Sequence, residues 1–536
     1  MTAIDIRSRI EVPGESERTH IGRHVVHGAV AALILCLLAL FGRIMTYPLQ
    51  HDEQFYVSAG VLLDRYSLYP DLGFSHLPNV ALLFSGAFAV LGDGHYLLVG
   101  RLIVFASWIA TITALLMIAR DYARSMLVGG LMVGFLLLNP MFLNATGMAA
   151  TNNFLPIPFA LFGLYLFLRA ADAEQMSSML ALASGFLLAV AAGFKINYAL
   201  LVMPVGLAAL LAPPAMPLAE RLRRIALPML VGGVIGGLPT ILYAMSDIRG
   251  FIVHVIDFQR GPQLGYWAAH SDPADPKVIG MADKLLLAHR LWLSGVTMLM
   301  IVTLLSFVAI AITRRSAFMR WPVMLVAAIC ALGALLAFVP TPSFPQYFTP
   351  ALPFLAILAG LLFGTFDQEG RRLAQPLMAA VLLLTVITGA PLLLPSLTGL
   401  AKPAGWTGLR VARDGAAIAA IVRESRFAGR PIATLSPLHA LEGGIPIYPH
   451  FALGPFVYRA APWVREDQRR YFAHFVTADD IPVLLNSRPP AAILTGIEGN
   501  ADAALDRFAQ AKGYRAIPMS LKKTENGEAV RLYLPR

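Results

Sequence analysis

The sequence has little charge and almost no cysteine. Only 14% of its 536 residues are charged, 57% are hydrophobic, and the mean hydropathy is +0.66. A water-soluble globule of this length needs far more charged surface, so the composition excludes that class of protein. The two cysteines, Cys36 and Cys330, both lie inside apolar runs. That placement is typical of small buried hydrophobes and excludes a scaffold held by disulfides.

The sequence is instead dominated by long apolar runs. They lie at residues 28–46, 78–92, 96–119, 127–143, 153–169, 178–194, 198–212, 225–245, 291–313, 321–340, 349–366 and 375–396. Because a helix rises about 1.5 Å per residue, the run at 78–92 is too short for a hydrocarbon core of about 30 Å. We expect it to form a half-buried helix on the outer side. The other runs predict a polytopic α-helical membrane protein with about 11 transmembrane helices.

Basic residues between the runs indicate the orientation. The connectors that carry them contain Arg120 and Arg124; Arg221, Arg223 and Arg224; Arg314, Arg315 and Arg320; and Arg371 and Arg372. All four connectors face the cytoplasm only if residues 78–92 do not span, which places the N-terminus inside and the C-terminus outside. Topology therefore explains the surplus of 42 Lys and Arg over 32 Asp and Glu, and no nucleic-acid partner is expected.

Three regions follow from this topology. Residues 1–27 form a cytoplasmic N-terminal tail, since the first run lacks the cleavage site of a secretion signal and is retained as a span. Residues 28–398 form the transmembrane domain, with a first outer loop at 47–95. Residues 399–536 form a small extracytoplasmic α/β domain, with predicted helices at 413–426, 465–475 and 501–511 and predicted strands at 431–435 and 491–495.

The first outer loop contains the acidic pair Asp52 and Glu53. Carboxylates in such a place can act as a general base or hold a divalent cation. The simpler alternative is that Asp52 only caps a surface helix, whose first turn favours carboxylates.

Cations and polar residues recur at the same predicted level of the membrane. Arg43, Arg101 and Lys195 each need water, a partner or a ligand there, and a lipid phosphate would satisfy them. The alternative is that they reach the interface or pair with carboxylates. Tyr347 lies in a proline-rich turn, where it is either a substrate contact or an interfacial anchor, and Asn153 is either a sugar-contacting amide or a helix cap.

Several of these segments resemble the membrane glycosyltransferases of the GT-C fold. The resemblance is to the protein O-mannosyltransferase-like branch and to the bacterial lipid A aminoarabinose and galacturonosyl transferases, and it covers most of the chain. It rests on residues 52–56 (Asp-Glu-Gln-Phe-Tyr), residues 68–71 (Leu-Tyr-Pro-Asp), Pro78, residues 100–102 (Gly-Arg-Leu), and residues 345–348 (Pro-Gln-Tyr-Phe) ahead of Pro350 and Pro353.

This resemblance implies an activity. It implies transfer of a sugar from a polyprenyl-phosphate donor to a lipid, glycan or protein acceptor of the cell envelope, on the outer face of the plasma membrane. We expect an inverting displacement with no required cofactor, although a divalent metal at Asp52 and Glu53 stays open. The alternative class is a transporter or flippase of polyprenyl-linked glycans, which would also need many spans and cations facing a lipid phosphate.

The resemblance also implies roles for individual residues. Asp52 matches the essential first-loop aspartate, and Glu53 beside it joins the predicted catalytic pair. The predicted donor-phosphate ligands are Arg101, Lys195 and His76, and the predicted substrate contacts are Tyr56, Tyr69, Asn153 and Tyr347. Two departures limit the comparison, because the aminoarabinose transferases carry a lysine where this chain has Leu77 and an acid where it has Asn153. The sugar and the acceptor therefore cannot be copied from that branch.

Overall fold

The computed structural model describes residues 15–172, 176–270, 279–316, 319–521 and 529–536. The first part of the chain is a helical bundle. In chain order its helices are α1 (Glu15–Thr46), α2 (His51–Leu62), α3 (Asn79–Leu91), α4 (Tyr96–Ile118), α5 (Met126–Leu137), α6 (Pro156–Ala170), α7 (Ser178–Phe194), α8 (Asn197–Leu201), α9 (Met203–Leu211), α10 (Leu218–Arg221), α11 (Leu227–Ser246), α12 (Ile248–Ile252), α13 (Phe258–Arg260), α14 (Pro262–Ala269), α15 (Met281–Trp292), α16 (Gly295–Thr313), α17 (Trp321–Leu336), α18 (Leu352–Gly364) and α19 (Gln368–Leu393).

The apolar runs fold as the sequence predicts. Among the described residues, seven helices are long and apolar enough to cross a membrane, and five shorter apolar helices pack with them. The chain is therefore a multi-pass helical membrane protein. Helix α1 begins at Glu15, ahead of the first apolar run, whereas its membrane-spanning part begins at Val26, so the tail at residues 1–27 stays a prediction. Residues 1–14 of that tail lie outside the described residues.

The four basic connectors lie at one end of the bundle. Arg169, at the end of α6, pairs with Asp121 at 2.9 Å, and Arg314 pairs with Asp367 at 3.1 Å. The end of α18 packs closely on the residues that follow α4. Gly364 leaves no room for a side chain there, since a Cβ built on it would lie 2.2 Å from the Tyr122 carbonyl oxygen. The start of α11, which follows the remaining connector, lies beside the start of α7. This arrangement agrees with leaving residues 78–92 out of the spans, whereas the side of the membrane that this end faces stays a prediction.

The C-terminal part is a small α/β domain, as predicted. Its strands are β1 (Ala433–Thr434), β2 (Ile493–Thr495), β3 (Arg515–Pro518) and β4 (Arg531–Leu534), in the order β1-β2-β4-β3, and only the β1–β2 pair is parallel. Its helices are α20 (Thr407–Val422), α21 (Pro437–Glu442), α22 (Pro455–Ala460), α23 (Glu466–Arg469), α24 (Ile481–Ser487) and α25 (Ala503–Ala511). Two predicted strands and two predicted helices are confirmed, whereas the helix predicted at 465–475 reduces to the single turn of α23, and β3 and β4 were missed.

The C-terminal domain docks on the first loop and on the start of α4. The Leu438 amide donates to Gln54 Oε1 at 3.0 Å, and the Ala473 amide donates to the Pro70 carbonyl at 2.8 Å. Glu442 Oε1 accepts from the Leu97 amide at 2.9 Å, in the first turn of α4. These contacts bring residues of the domain to the N-terminal end of α2.

A buried ion pair fixes α2 against α4. Arg101 donates to both carboxylate oxygens of Glu53, at 3.0 and 2.8 Å, and neither side chain is exposed to solvent. Its remaining N–H groups donate to the carbonyls of Ile44, Tyr47 and Pro48. Glu53 also accepts from the backbone amides of Gln50 and Ala150. All five guanidinium donors and four carboxylate acceptor sites are therefore engaged, which makes burial of both charges tolerable.

We expect Arg101→Met to lower the stability of the protein by about 3–5 kcal/mol, because it leaves Glu53 as a buried charge without a partner. Arg120→Gln, just past the end of α4, is the matched control, since the Arg120 side chain is 69% exposed and pairs with its neighbour Asp121. Chemical denaturation of both variants in detergent, followed by tryptophan fluorescence, measures the difference. Equal stabilities would show that the pair contributes nothing.

Candidate active site

Asp52 lies in the first turn of α2, directly before the buried Glu53, and is half-buried itself. Burial raises the pKa of its carboxyl above the ordinary value. The charges of Arg459, His51 and Lys195 oppose that shift. The structure thus surrounds Asp52 with three basic side chains drawn from the first loop, the bundle and the C-terminal domain.

Lys195 lies in the link between α7 and α8 and is only 8% exposed. Its ammonium donates to Asn153 Oδ1 at 2.6 Å and lies 5.1 Å from the centre of the Tyr347 ring. Within the described parts of the chain it forms no ion pair with a carboxylate. Burial lowers the pKa of Lys195 to about 8, against the opposing charge of Asp52. Three predicted site residues, Lys195, Asn153 and Tyr347, therefore come together beside Asp52.

Tyr56 and His76 form an adjacent wall. Their rings are stacked, with centres 5.4 Å apart and planes 22° apart, and the Tyr56 hydroxyl interacts with the Asn152 amide. Burial lowers the pKa of His76 to about 3, and the charge of Lys195 adds to that shift. His76 is consequently neutral at physiological pH. It can contact a phosphate by a hydrogen bond but not by a positive charge.

The structure places three predicted site residues elsewhere. Glu53 and Arg101 bind each other and the backbone with every hydrogen-bonding group, so the geometry contradicts direct roles for them in catalysis and phosphate binding. Tyr69 is 5% exposed, donates its hydroxyl to the His76 carbonyl at 3.0 Å and packs on Tyr243. It fixes the loop rather than lining the site.

A metal at this site stays a prediction, but Glu53 is not free to share one with Asp52. The Glu53 oxygens already accept four hydrogen bonds on the buried side of α2, so they cannot ligate a cation beside Asp52. In the portion of the chain that the structure describes, no group of three or more His, Cys, Asp or Glu side chains is arranged to hold a metal ion.

Two residues that sequence reasoning missed belong to the C-terminal domain. Glu498 follows β2 and contacts His51 Nδ1 at 2.6 Å, although His51 itself is largely exposed. Asp502 holds the Glu498 segment, because its Oδ2 accepts from three successive backbone amides, at residues 496–498. The second missed residue is Arg459, which lies on α22. Each is separated from Asp52 by more than 400 residues, and no local pattern links such distant positions.

We expect Glu498→Gln to lower the pKa of His51, because the Glu498 carboxylate is the main cause of its raised value. Glu466→Gln, at an exposed acid of the same domain, should leave that pKa unchanged. NMR titration of ¹³C-labelled histidines in micelles measures both, with His51→Asn to assign the signal. An unchanged His51 pKa in Glu498→Gln would show that the contact does not form in solution.

Solved structures with the same fold include two crystal structures of ArnT from Cupriavidus metallidurans. The structure with undecaprenyl phosphate bound is 17% identical, with a TM-score of 0.57, and the alignment covers 95% of this chain and 97% of that one. The apo structure is 16% identical, with a TM-score of 0.57 and coverages of 96% and 98%. Known protein families and curated proteins yielded no match to the sequence. Along nearly its whole length, the chain has the GT-C fold that the resemblance predicted.

Proposed function

We propose that this protein is a membrane glycosyltransferase. It moves a sugar from a polyprenyl-phosphate donor to a lipid, glycan or protein acceptor, at the outer face of the plasma membrane. The observation that carries the proposal is a half-buried carboxylate, Asp52, next to Lys195, a cation without a carboxylate partner among the described residues. The donor class is supported by the fold, since ArnT of the same fold was crystallised with undecaprenyl phosphate.

Asp52 is the base of the proposed reaction. It accepts the proton of the acceptor hydroxyl as that oxygen attacks the anomeric carbon of the donor. The bond from this carbon to the phosphate oxygen breaks, polyprenyl phosphate leaves, and the configuration inverts. Burial raises the pKa of Asp52, which makes its carboxylate a stronger base than an exposed one.

Lys195 stabilises the leaving group. The departing phosphate gains negative charge as the bond breaks, so a fixed ammonium binds the transition state more tightly than the donor. Asn153 and Tyr347 hold this ammonium in place before the reaction begins. Tyr56 and neutral His76 offer ring faces and hydrogen bonds to the substrate on the adjacent wall.

The arrangement favours transfer over transport. Secondary transporters usually bind their substrates near the middle of the membrane, between broken helices. Here the polar cluster lies at one end of the bundle, where the C-terminal domain covers the start of α2.

We expect Asp52→Asn to reduce sugar transfer by about 100-fold or more, because the amide cannot accept the proton. Asp64→Asn is the matched control, since Asp64 is an exposed acid of the same loop, with its side chain 61% exposed. Mass spectrometry follows transfer from extracted polyprenyl-phosphate sugars to envelope lipids in proteoliposomes.

Unchanged transfer in Asp52→Asn would refute the assignment of the base. Absence of transfer by the unmodified protein, with the donor nevertheless crossing the bilayer, would favour the flippase.

The pH dependence of kcat/KM tests Lys195 separately. Transfer should fall in acid, at a pH above the ordinary carboxyl pKa, as Asp52 is protonated. It should also fall above about pH 8, as Lys195 loses its proton. Lys195→Arg should remove the alkaline limb, because a guanidinium stays charged there, and Asp64→Asn should leave the profile unchanged. An alkaline limb that persists in Lys195→Arg would belong to another group.

A further inference from the structure

Arg459 is held in place by three aromatic rings. Its guanidinium lies 4.9 Å from the ring centre of Tyr266, 4.6 Å from that of Trp267 and 4.7 Å from that of Phe456. Gln263, with its amide oriented to suit its neighbours, accepts from Arg459 Nη2 at 3.2 Å. Cation–π contacts of this kind orient a guanidinium without neutralising it.

The charge of Arg459 is not matched by a direct partner. Its Nε is buried without a hydrogen-bond acceptor, and among the described residues it forms no ion pair with a carboxylate. Asp52 and Glu498 attract it at longer range, and Glu498 is already engaged by His51 and Ser436. Arg459 is half-buried, and the unmade hydrogen bond at its buried Nε is costly, a cost that an anionic ligand would remove.

The two cations of the site lie apart, on either end of an aromatic arc. From Arg459 the arc runs through Trp267, then Phe344 at 5.9 Å, then Tyr347 at 6.0 Å, to Lys195 over the Tyr347 ring. Each cation acts on Asp52, but neither shifts the pKa of the other. The site therefore offers two separate places for negative charge, with the proposed base acting on both.

We infer that Arg459 binds an anionic group of the acceptor, a phosphate or a carboxylate, close to the hydroxyl that is attacked. The inference rests on the proposed function. In an inverting displacement the nucleophile and the leaving group lie on opposite sides of the anomeric carbon. Since Lys195 takes the leaving phosphate, Arg459 lies on the acceptor side together with Asp52. Its planar fork of donors matches both kinds of anion, so it selects acceptors that carry one.

Binding of soluble sugars tests Arg459 without requiring transfer. The probes are glucose, glucose 6-phosphate and glucuronate, which share a ring and differ in charge. The full-length protein is placed in nanodiscs that contain undecaprenyl phosphate, and its thermal midpoint is titrated with each probe. We expect the unmodified protein to bind at least one anionic sugar about tenfold more tightly than glucose.

Four variants define the origin of this preference. Arg459→Gln should bind all three sugars alike, and Arg465→Gln, at an exposed arginine of the same domain, should behave as the unmodified protein. Lys195→Gln should keep the preference. If Arg459→Gln does not fold, Arg459→Lys takes its place, and its affinity for the anionic sugar should fall at least threefold because an ammonium lacks the planar fork.

The inference would be overturned if the unmodified protein showed no preference for anionic sugars. It would also be overturned if Arg459→Gln kept the preference, or if Arg459→Lys, used in its place, bound the anionic sugar as tightly as the unmodified protein. Loss of the preference in Lys195→Gln would overturn it as well. A transfer assay on the same samples separates this inference from the proposed function. Anion binding that depends on Arg459 in a protein without transferase activity would refute the proposed enzyme and leave the anion site in place.

Discussion

The pairing of Glu53 with Arg101 is the interaction on which the site depends. Two charges removed from water cost more than their attraction returns unless every remaining hydrogen-bonding group is satisfied. Glu53 lies in the first turn of α2 and Arg101 in the second turn of α4. Their further partners come from the end of α1 and the link after it, and from the segment around Ala150. The pair therefore joins four segments of the chain at one point. The residue beside Glu53 on α2 is positioned by the same contacts.

Asp52 is that residue, and it has the opposite environment from its neighbour. Adjacent positions on a helix point about 100° apart, so the Glu53 carboxylate enters the core while Asp52 stays half-buried. Glu53 forms a direct ion pair with Arg101, whereas Asp52 interacts with Lys195 and Arg459 at longer range. The capping role that the sequence analysis considered for Asp52 thus belongs to Glu53, whose side chain accepts a hydrogen bond from the Gln50 amide.

Hydropathy predicted the bundle because the signal for a membrane helix is local and strong. The grouping of Asp52, Lys195, Asn153 and Tyr347 was expected on a different basis, because it came from the resemblance to a family and not from any pattern of spacing. What the sequence could not reveal is tertiary pairing. Arg101 was expected to hold a phosphate because an intramembrane cation needs a partner, and its partner proved to be a carboxylate 48 residues away. Tyr69, Glu498 and Arg459 were misjudged or missed for the same reason.

The docking of the C-terminal domain has a consequence for how the protein is made. Chains are synthesised from the N-terminus, and domains generally fold as units in that order. The bundle already carries Asp52 and Lys195 when the ribosome reaches the domain, whereas Arg459 and Glu498 arrive only with the last quarter of the chain. A newly inserted bundle therefore lacks both of these side chains, and a chain interrupted before the domain leaves Asp52 and Lys195 without them.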